Sequence, residues 1–320
     1  MLERKDFYKE VEKRVAAFLP KEYRSSDVSV MENPKNNGPM TAIVIRPEGV
    51  DAIPLIYLEG YYDRYRDGEK MEDLLQHLAD SYTDAVQFRA KMRLPKMDRE
   101  SLEGHLRLRL VNMKTNPGML ANAVNRPAGC GFSLVVYIDL ESMSGFQGMI
   151  QVSDTMAKSM GYGEEKEVFA QAMADSVAHI PAVMNRIEDA VFRIGTEDGP
   201  EDLLQSETLP VSGRGMYVLT NSEGAYGASA LFYPGVKERV SEVIGGDYYV
   251  LPSSIHEVLI LKDTPDLDPK ELVQMVKEVN ETQVAPLDRL ADRVMHYRSD
   301  LRQLEVAADL GKERDNGKER

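Results

Sequence analysis

Beyond about residue 215 the sequence alternates short apolar runs with amphipathic segments in a regular order. The runs "GMYVLTN", "GASALFY", "DYYVLP" and "IHEVLILK" have the length and residue types of strands. After each pair of runs, "GVKERVSEVI" and "DPKELVQMVKEVNET" have apolar residues at helical spacing. Residues 215–304 are therefore predicted to form a β-β-α-β-β-α subdomain. Short turns between strands favour antiparallel neighbours, so we predict an α+β protein with mixed or antiparallel sheets and packed helices.

Residues 1–195 are predicted to form an N-terminal α/β region. Apolar residues at positions 7, 11, 15 and 18 recur every three or four residues, as in a helix that ends at Pro20. "DVSVME" and "TAIVIRP" predict two strands, and a helix is predicted from about residue 70 to residue 82. Further strands are predicted at "HLRLRLV", "GFSLVVYIDL" and "FQGMIQV", and helices at 154–160 and 164–178.

A linker is predicted at residues 196–214, because acidic residues, glycine and proline cluster in "GTEDGPEDLLQSETLPVSGRG". The boundary between the two regions is placed there. Near the end, "PLDRLADRVMHYRSDL" predicts a further helix that begins at Pro286. The tail, residues 305–320, contains GKER twice, is strongly charged and is predicted to be disordered.

Charge and cysteine content argue against several classes of protein. The chain of 320 residues has a formal net charge of -14, which disfavours direct binding of nucleic acid. Its one cysteine allows no intramolecular disulfide and fits a reducing cytoplasm. The longest apolar run, "FSLVVYI", is too short to cross a membrane, so we expect a cytoplasmic protein. The acidic surface has two explanations. Ordinary solubility is favoured, and the alternative is that the surface mimics nucleic acid and occupies a basic partner.

The stretch "LPSSIHEVLIL" holds the residues that most resemble an active site. Ser253, Ser254, His256 and Glu257 lie at the start of an apolar strand, where catalytic groups often occur. Alternation points His256 and Glu257 to opposite faces, so the two cannot easily cooperate. Serines after a proline also suit a tight connection in which the hydroxyls bond the local backbone. The structural explanation is favoured, and a hydrolase-like site at these four residues is the alternative.

Other candidate sites have less support. Tyr57, Tyr61 and Tyr65 recur every four residues and would share a helical face that grips a ligand, although packing is the commoner reason for such a stripe. Asp139 and Glu141 end a strand and suit a metal ion, but no third ligand can be named. The five histidines lack ligand spacing, and phosphate-loop, dinucleotide-loop and serine-hydrolase motifs are absent. We therefore expect no cofactor and no tightly bound metal.

Several blocks of the sequence resemble one bacterial family. In family order they are "IYLEGYYDRYRDGEKMEDLL", "MYVLTN", "GASALFYPGV", "GGDYYVLPSSIHEVLIL" and "VNETQVAPLDRLADRVMHY". Together the blocks resemble the family described as domain of unknown function 5688. The resemblance implies an intracellular bacterial protein, often of gut anaerobes and their mobile elements, with no assigned activity or catalytic residues.

Two classes of function remain open at this point. The first is a non-catalytic interaction or regulatory protein, which the resemblance links to mobile elements and whose partner we expect to be another protein. It is favoured by the missing catalytic motifs and the acidic charge. The second is a hydrolase-like enzyme with its site at the turn that contains Ser253 and His256.

Overall fold

The computed structural model describes residues 1–48, 54–91, 96–144, 148–192, 201–207, 209–210 and 215–310. The chain divides into two compact units, Met1–Pro95 and Lys96–Arg320. This division differs from the predicted boundary at residues 196–214, of which residues 196–200, 208 and 211–214 lie outside the described residues. Strands on its two sides, Ala182–Arg186 and Met216–Asn221, pair in one sheet, which explains why no boundary falls between them.

The described residues of the first unit form three α-helices and a three-stranded antiparallel sheet. The strands are β1 (Asp27–Lys35), β2 (Gly38–Arg46) and β3 (Leu55–Tyr57). The helices are α1 (Arg4–Arg14), α2 (Glu59–Arg66) and α3 (Met71–Lys91). The predicted first helix is confirmed as α1, whose Phe7 and Val11 are buried in one apolar cluster with Leu74 of α3. The predicted first two strands are confirmed as a hairpin. Asn37 in its turn has positive φ, which asparagine tolerates.

The second unit contains two antiparallel sheets in its described residues. The four-stranded sheet has the order β4-β6-β5, with β7 paired to β6. Its strands are β4 (Leu106–Asn112), β5 (Asn125–Gly129), β6 (Phe132–Asp139) and β7 (Met149–Gln151). The six-stranded sheet has the order β13-β12-β10-β11-β9-β8. Its strands are β8 (Ala182–Arg186), β9 (Met216–Asn221), β10 (Tyr248–Leu251), β11 (Val258–Lys262), β12 (Arg293–Arg298) and β13 (Gln303–Asp309).

Helices of the second unit cover these sheets. They are α4 (Pro117–Leu120), α5 (Leu140–Ser144), α6 (Asp154–Ser159), α7 (Glu165–His179), α8 (Ile187–Phe192), α9 (Val236–Ile244) and α10 (Pro269–Thr282). The main core contains Val136 of β6, Val168 of α7 and Ile260 of β11. A second cluster on the other face of the six-stranded sheet joins Leu251 to Val276 of α10. β11 is therefore a central strand of the six-stranded sheet and is covered on both faces.

The α+β class is confirmed, since the helices accompany sheets in which every described strand pair is antiparallel. Among the described residues, no helix is long and apolar enough to cross a membrane.

Three predictions in the last third of the chain are wrong. "GASALFY" forms a 3₁₀ helix, Gly227–Phe232, because its small residues are buried consecutively and do not alternate between two faces. The helix predicted from Pro286 is instead a loop followed by β12, which pairs with β10 and β13. Residues 305–309 of the predicted disordered tail belong to β13, while residues 311–320 lie outside the described residues.

Candidate functional site

A cleft of about 620 Å³ opens in the second unit beside β4. Its lining includes residues of β4, the ends of β6 and β7, helix α5 and the turn after β9, among them Arg107, Arg109, Asp139, Glu141, Glu223 and Tyr226. Protein sites for small ligands have volumes of roughly 300–1,000 Å³. The cleft is therefore large enough to hold a small molecule or a few residues of a peptide.

Strand β4 forms one wall of the cleft and is held in place by α7. It lies at the edge of its sheet, so one side of its backbone has no partner strand among the described strands. Two backbone N–H groups on this strand, those of Leu106 and Leu108, donate to Asp175 Oδ2 and Ser176 Oγ of α7, each at 3.1 Å. These bonds give hydrogen-bond partners to an otherwise unpaired strand edge. They also fix the positions of Arg107 and Arg109, which directly follow the two leucines in the strand.

Arg107 is a fixed and fully buried structural cation. It is 4% exposed, and its Nη2 lies 3.3 Å from Asp139 Oδ2. Its Nη1 also donates to the carbonyl oxygens of Gly104 and Leu106. Asp139 Oδ1 accepts two further hydrogen bonds from the backbone at the start of α5. The ion pair thus ties the start of β4 to the end of β6 and gives each charge its counter-charge, while Arg107 Nε, like that of Arg109, has no hydrogen-bond partner among the described residues.

Arg109 differs from Arg107 because no carboxylate or carbonyl oxygen in the described chain accepts a hydrogen bond from it. Its guanidinium carbon lies 3.2 Å from the ring centre of Tyr226 and 4.4 Å from that of Tyr137. Its Nη2 contacts Met149 Sδ, and its Nε is buried without a partner. Burial lowers the pKa of Arg109, because a charged guanidinium is costly away from water. The cleft therefore contains a cation that is held by aromatic rings and forms no ion pair with any residue of the described ranges.

Tyr226 reaches Arg109 from a turn that Asn221 organises. Asn221 is buried, its Nδ2 donates to the Ala225 carbonyl at 2.9 Å, and its Oδ1 accepts from Glu223 N–H at 3.1 Å. Tyr226 has a left-handed backbone conformation, and its N–H donates to His256 Nδ1 at 3.2 Å. Asn221 and His256 thus determine where the Tyr226 ring lies.

The predicted site residues around residue 254 lie behind this turn. His256 packs its ring on Tyr226 with ring centres 5.1 Å apart, and its Nε2 lies 3.6 Å from Asp288 Oδ1. Ser254 Oγ accepts a hydrogen bond from the backbone N–H of His256 at 3.0 Å. In the described chain, neither serine hydroxyl bonds the imidazole ring, and Glu257 is half-buried beyond it. The four residues are close in space but do not have the geometry of a nucleophile paired with its base.

Ser254→Ala is expected to lower the free energy of unfolding by about 1 kcal/mol, because the His256 N–H loses its acceptor. Ser253→Ala is the matched control: Ser253 is also buried, but its hydroxyl makes no side-chain hydrogen bond among the described residues, so a change near zero is expected. Urea denaturation of both variants measures the difference. An unchanged stability in Ser254→Ala together with a lost cellular phenotype would favour a functional role instead.

The tyrosine stripe does not form the predicted single helical face. Tyr57 lies in β3 and accepts a hydrogen bond from Asn33 at 2.6 Å, whereas Tyr61 and Tyr65 lie in α2. Tyr61 and Tyr65 pack against the core of the first unit, and the Tyr65 ring centre lies 5.0 Å from that of Phe7. β3 ends before the helix begins, so the four-residue spacing does not correspond to a shared surface.

The possible metal pair at the end of β6 is also separated. Asp139 ends the strand and is held by Arg107, while Glu141 lies in α5 with an exposed side chain. Because Glu141 lies in a helix, it does not share a strand face with Asp139. Glu141 instead contributes negative charge to the cleft.

Arg109 and Tyr226 are not among the site residues that the sequence predicts, because no local motif joins two residues so far apart in the chain. A strand that alternates arginine with leucine was the available signal, because a buried strand rarely carries cations without a purpose.

Fold and site together define an antiparallel α+β protein whose second unit has a cleft built around a partly buried arginine, Arg109, and two tyrosines. The chain belongs to a family of unknown function, DUF5688, whose model matches residues 4–299, as the resemblance implied. No curated protein and no solved structure matches it.

Proposed function

We propose that this protein is a non-catalytic interaction or regulatory protein of the bacterial cytoplasm, and that its cleft binds a carboxylate-bearing segment of a partner protein through Arg109. The family resemblance adds the proposal that the protein acts for a mobile genetic element.

The observation that carries the proposal is that Arg109 forms no ion pair and no hydrogen bond to a carboxylate or carbonyl oxygen among the residues that the structure describes. A buried polar group normally has hydrogen-bond partners, and a buried cation normally has a counter-charge. Arg109 has two aromatic rings and a sulfur atom around it instead. A carboxylate that enters the cleft would supply both a counter-charge and oxygen acceptors, and guanidinium groups bind carboxylates through paired hydrogen bonds.

The rim of the cleft suggests what should flank that carboxylate. Glu141 and Glu223 line it and are exposed, and the chain as a whole is acidic. Basic residues on either side of an acidic one would therefore complement the rim while the acidic side chain meets Arg109. Long-range attraction to the acidic surface would also speed the association of such a segment.

A hydrolase is the second candidate function. One contact in the cleft makes Ser142 a better candidate for its nucleophile than Ser254. Ser142 lines the cleft, and its Oγ lies 2.8 Å from His105 Nδ1, within the range of a nucleophile and its base. However, Ser142 Oγ also donates to the Asp139 carbonyl at 3.1 Å, and no carboxylate orients His105 among the described residues. The catalytic triad pattern is thus incomplete.

A matched pair of peptides tests the binding proposal. Acetyl-Lys-Asp-Lys-amide is expected to bind the full chain in isothermal titration, and acetyl-Lys-Asn-Lys-amide to bind at least about tenfold more weakly, because a charged hydrogen bond is worth about 1.5–3 kcal/mol. Arg109→Met should remove the preference for the acidic peptide. Arg99→Met, at an exposed arginine that pairs with Glu167, should retain it. Equal binding of both peptides, or a preference that survives in Arg109→Met, would contradict the proposal.

Labelling with a fluorophosphonate probe separates the two candidate functions. The non-catalytic proposal predicts no covalent labelling of the wild-type chain. Labelling that disappears in Ser142→Ala or in Ser254→Ala would instead identify a reactive serine and its position. Purification of partners from the native host, with wild type and Arg109→Met as baits, then shows which captured proteins depend on the cleft.

A further inference from the structure

One end of the six-stranded sheet brings two carboxylates and an imidazole together. Asp247 immediately precedes β10, Asp263 immediately follows β11, and His296 lies within β12. One ligand atom from each side chain can be chosen so that all three lie within 4.8 Å of one another. All three residues are partly buried, and none of them lines the cleft.

The strand register explains why the three side chains meet. Tyr249 is paired directly with Leu261 on one neighbouring strand and with His296 on the other, so these three residues share a sheet face. Asp247 lies two residues before Tyr249, and Asp263 lies two residues after Leu261. Because side chains alternate along a strand, both carboxylates extend from that same face.

Neighbouring groups hold the possible ligands in place. The His296 ring packs on Tyr249 with ring centres 4.7 Å apart, and its Nε2 lies 3.0 Å from Asp263 Oδ2. Asp247 Oδ1 accepts hydrogen bonds from the N–H and the hydroxyl of Ser299, the former at 2.8 Å. The Asp263 N–H donates to the Asp247 carbonyl at 2.9 Å, which joins the two strand ends. Fixed ligands lose less conformational freedom when an ion binds.

The local charge favours a cation. Neither Asp247 nor Asp263 has a lysine or arginine within ion-pair distance in the described part of the chain. Arg298, which is close in sequence to His296, pairs with Asp300 instead. The two carboxylates bring two negative charges into a small, partly buried space, and a divalent ion would neutralise both.

We propose that Asp247, Asp263 and His296 form a binding site for a divalent transition-metal ion such as Zn²⁺ or Mn²⁺, with water in the remaining positions. An imidazole nitrogen with two carboxylate oxygens is a ligand set that suits these ions better than Ca²⁺, which prefers oxygen alone. Zinc lies about 2.0–2.2 Å from such ligands, so atoms this close together need only small side-chain rotations to reach one ion. The site is independent of the function proposed for the cleft.

Metal titration of the full chain tests this site. After dialysis against EDTA, isothermal titration with ZnCl₂ and separately with MnCl₂ is expected to give one ion per chain for at least one of the two metals. Asp263→Asn and Asp247→Asn preserve side-chain shape and should weaken binding at least about tenfold, because each replaces an anionic ligand. The metal should also raise the melting temperature of the wild-type chain more than that of either variant, since binding to the native state stabilises it.

Two controls keep the result specific. Asp300→Asn removes an exposed carboxylate that pairs with Arg298, and His77→Ala removes a histidine of the first unit. Both should bind metal as the wild type does, and melting curves recorded in EDTA establish that all variants are folded. If the wild type takes up no stoichiometric ion, or if Asp263→Asn and Asp247→Asn bind as tightly as the wild type, the proposal is overturned and the His296 contact is an ion pair alone.

Discussion

Gly227→Ala is expected to destabilise the protein by about 3 kcal/mol, a large part of the stability of a typical domain. A Cβ at this position would lie 2.8 Å from the His256 carbonyl oxygen and closer still to Thr220 Oγ1 and the Asn221 backbone nitrogen. Two of these atoms belong to the backbone and cannot rotate away. The added methyl group would force the 3₁₀ helix that begins at Gly227 away from β9 and from the residues before β11.

This displacement would also disturb the cleft. Thr220 Oγ1 donates to the His256 carbonyl at 2.8 Å, and the His256 ring accepts from Tyr226 N–H. Both bonds lie beside the new methyl group, so the Tyr226 ring should shift from Arg109. Binding of the acidic peptide by any folded Gly227→Ala protein should therefore be weaker than binding by the wild type.

Gly118→Ala is the matched control for this substitution. Nothing lies within 4 Å of a Cβ built at Gly118, and this glycine lies in helix α4, where alanine is the better residue. Its stability should equal or slightly exceed that of the wild type in urea denaturation. If Gly227→Ala unfolds within about 0.5 kcal/mol of the wild type, the close approach has no structural importance.

The elements that the sequence predicted correctly are those with strong local patterns. α1 has apolar residues at helical spacing, and β11 has apolar residues on both faces, so each pattern identifies one structure. Gly227–Phe232 was misread because its small residues fit a buried strand or a tight helix equally well. β12 was misread because Leu290, Val294 and Tyr297 happen to have helical spacing, whereas pairing with β10 and β13 decides the structure.

The candidate sites were harder to predict because their parts come from distant segments. Arg109 meets Tyr226 only because β4 and the turn after β9 lie side by side in the fold. The absence of ligand spacing among the histidines argued against metal, but this test finds ligands on one helix or loop. It does not find Asp247, Asp263 and His296, which come from three neighbouring strands. Only the strand order and register bring such groups together, and neither can be read from local patterns.

The ion pair between Arg107 and Asp139 should have the other large effect on stability. The residues are 4% and 8% exposed, and the removal of one partner leaves a buried charge without compensation. Such changes cost about 3–5 kcal/mol. Asp139→Asn keeps an oxygen that can accept from the backbone N–H groups of Glu141 and Ser142, so it isolates the loss of charge. We expect it to lower the free energy of unfolding by about 3 kcal/mol.

The double variant Arg107→Met with Asp139→Asn separates the charge from the packing. Each single variant leaves one group of the pair buried without its partner, whereas the double variant removes both charges. Its loss of stability should therefore be clearly smaller than the sum of the two single losses, which urea denaturation of the four proteins measures. Asp300→Asn breaks the exposed pair with Arg298 and should cost less than about 1 kcal/mol, because water screens exposed charges. If Asp139→Asn costs as little as Asp300→Asn, Arg107 does not depend on Asp139. The wall of the cleft would then be held mainly by the bonds of β4 to α7.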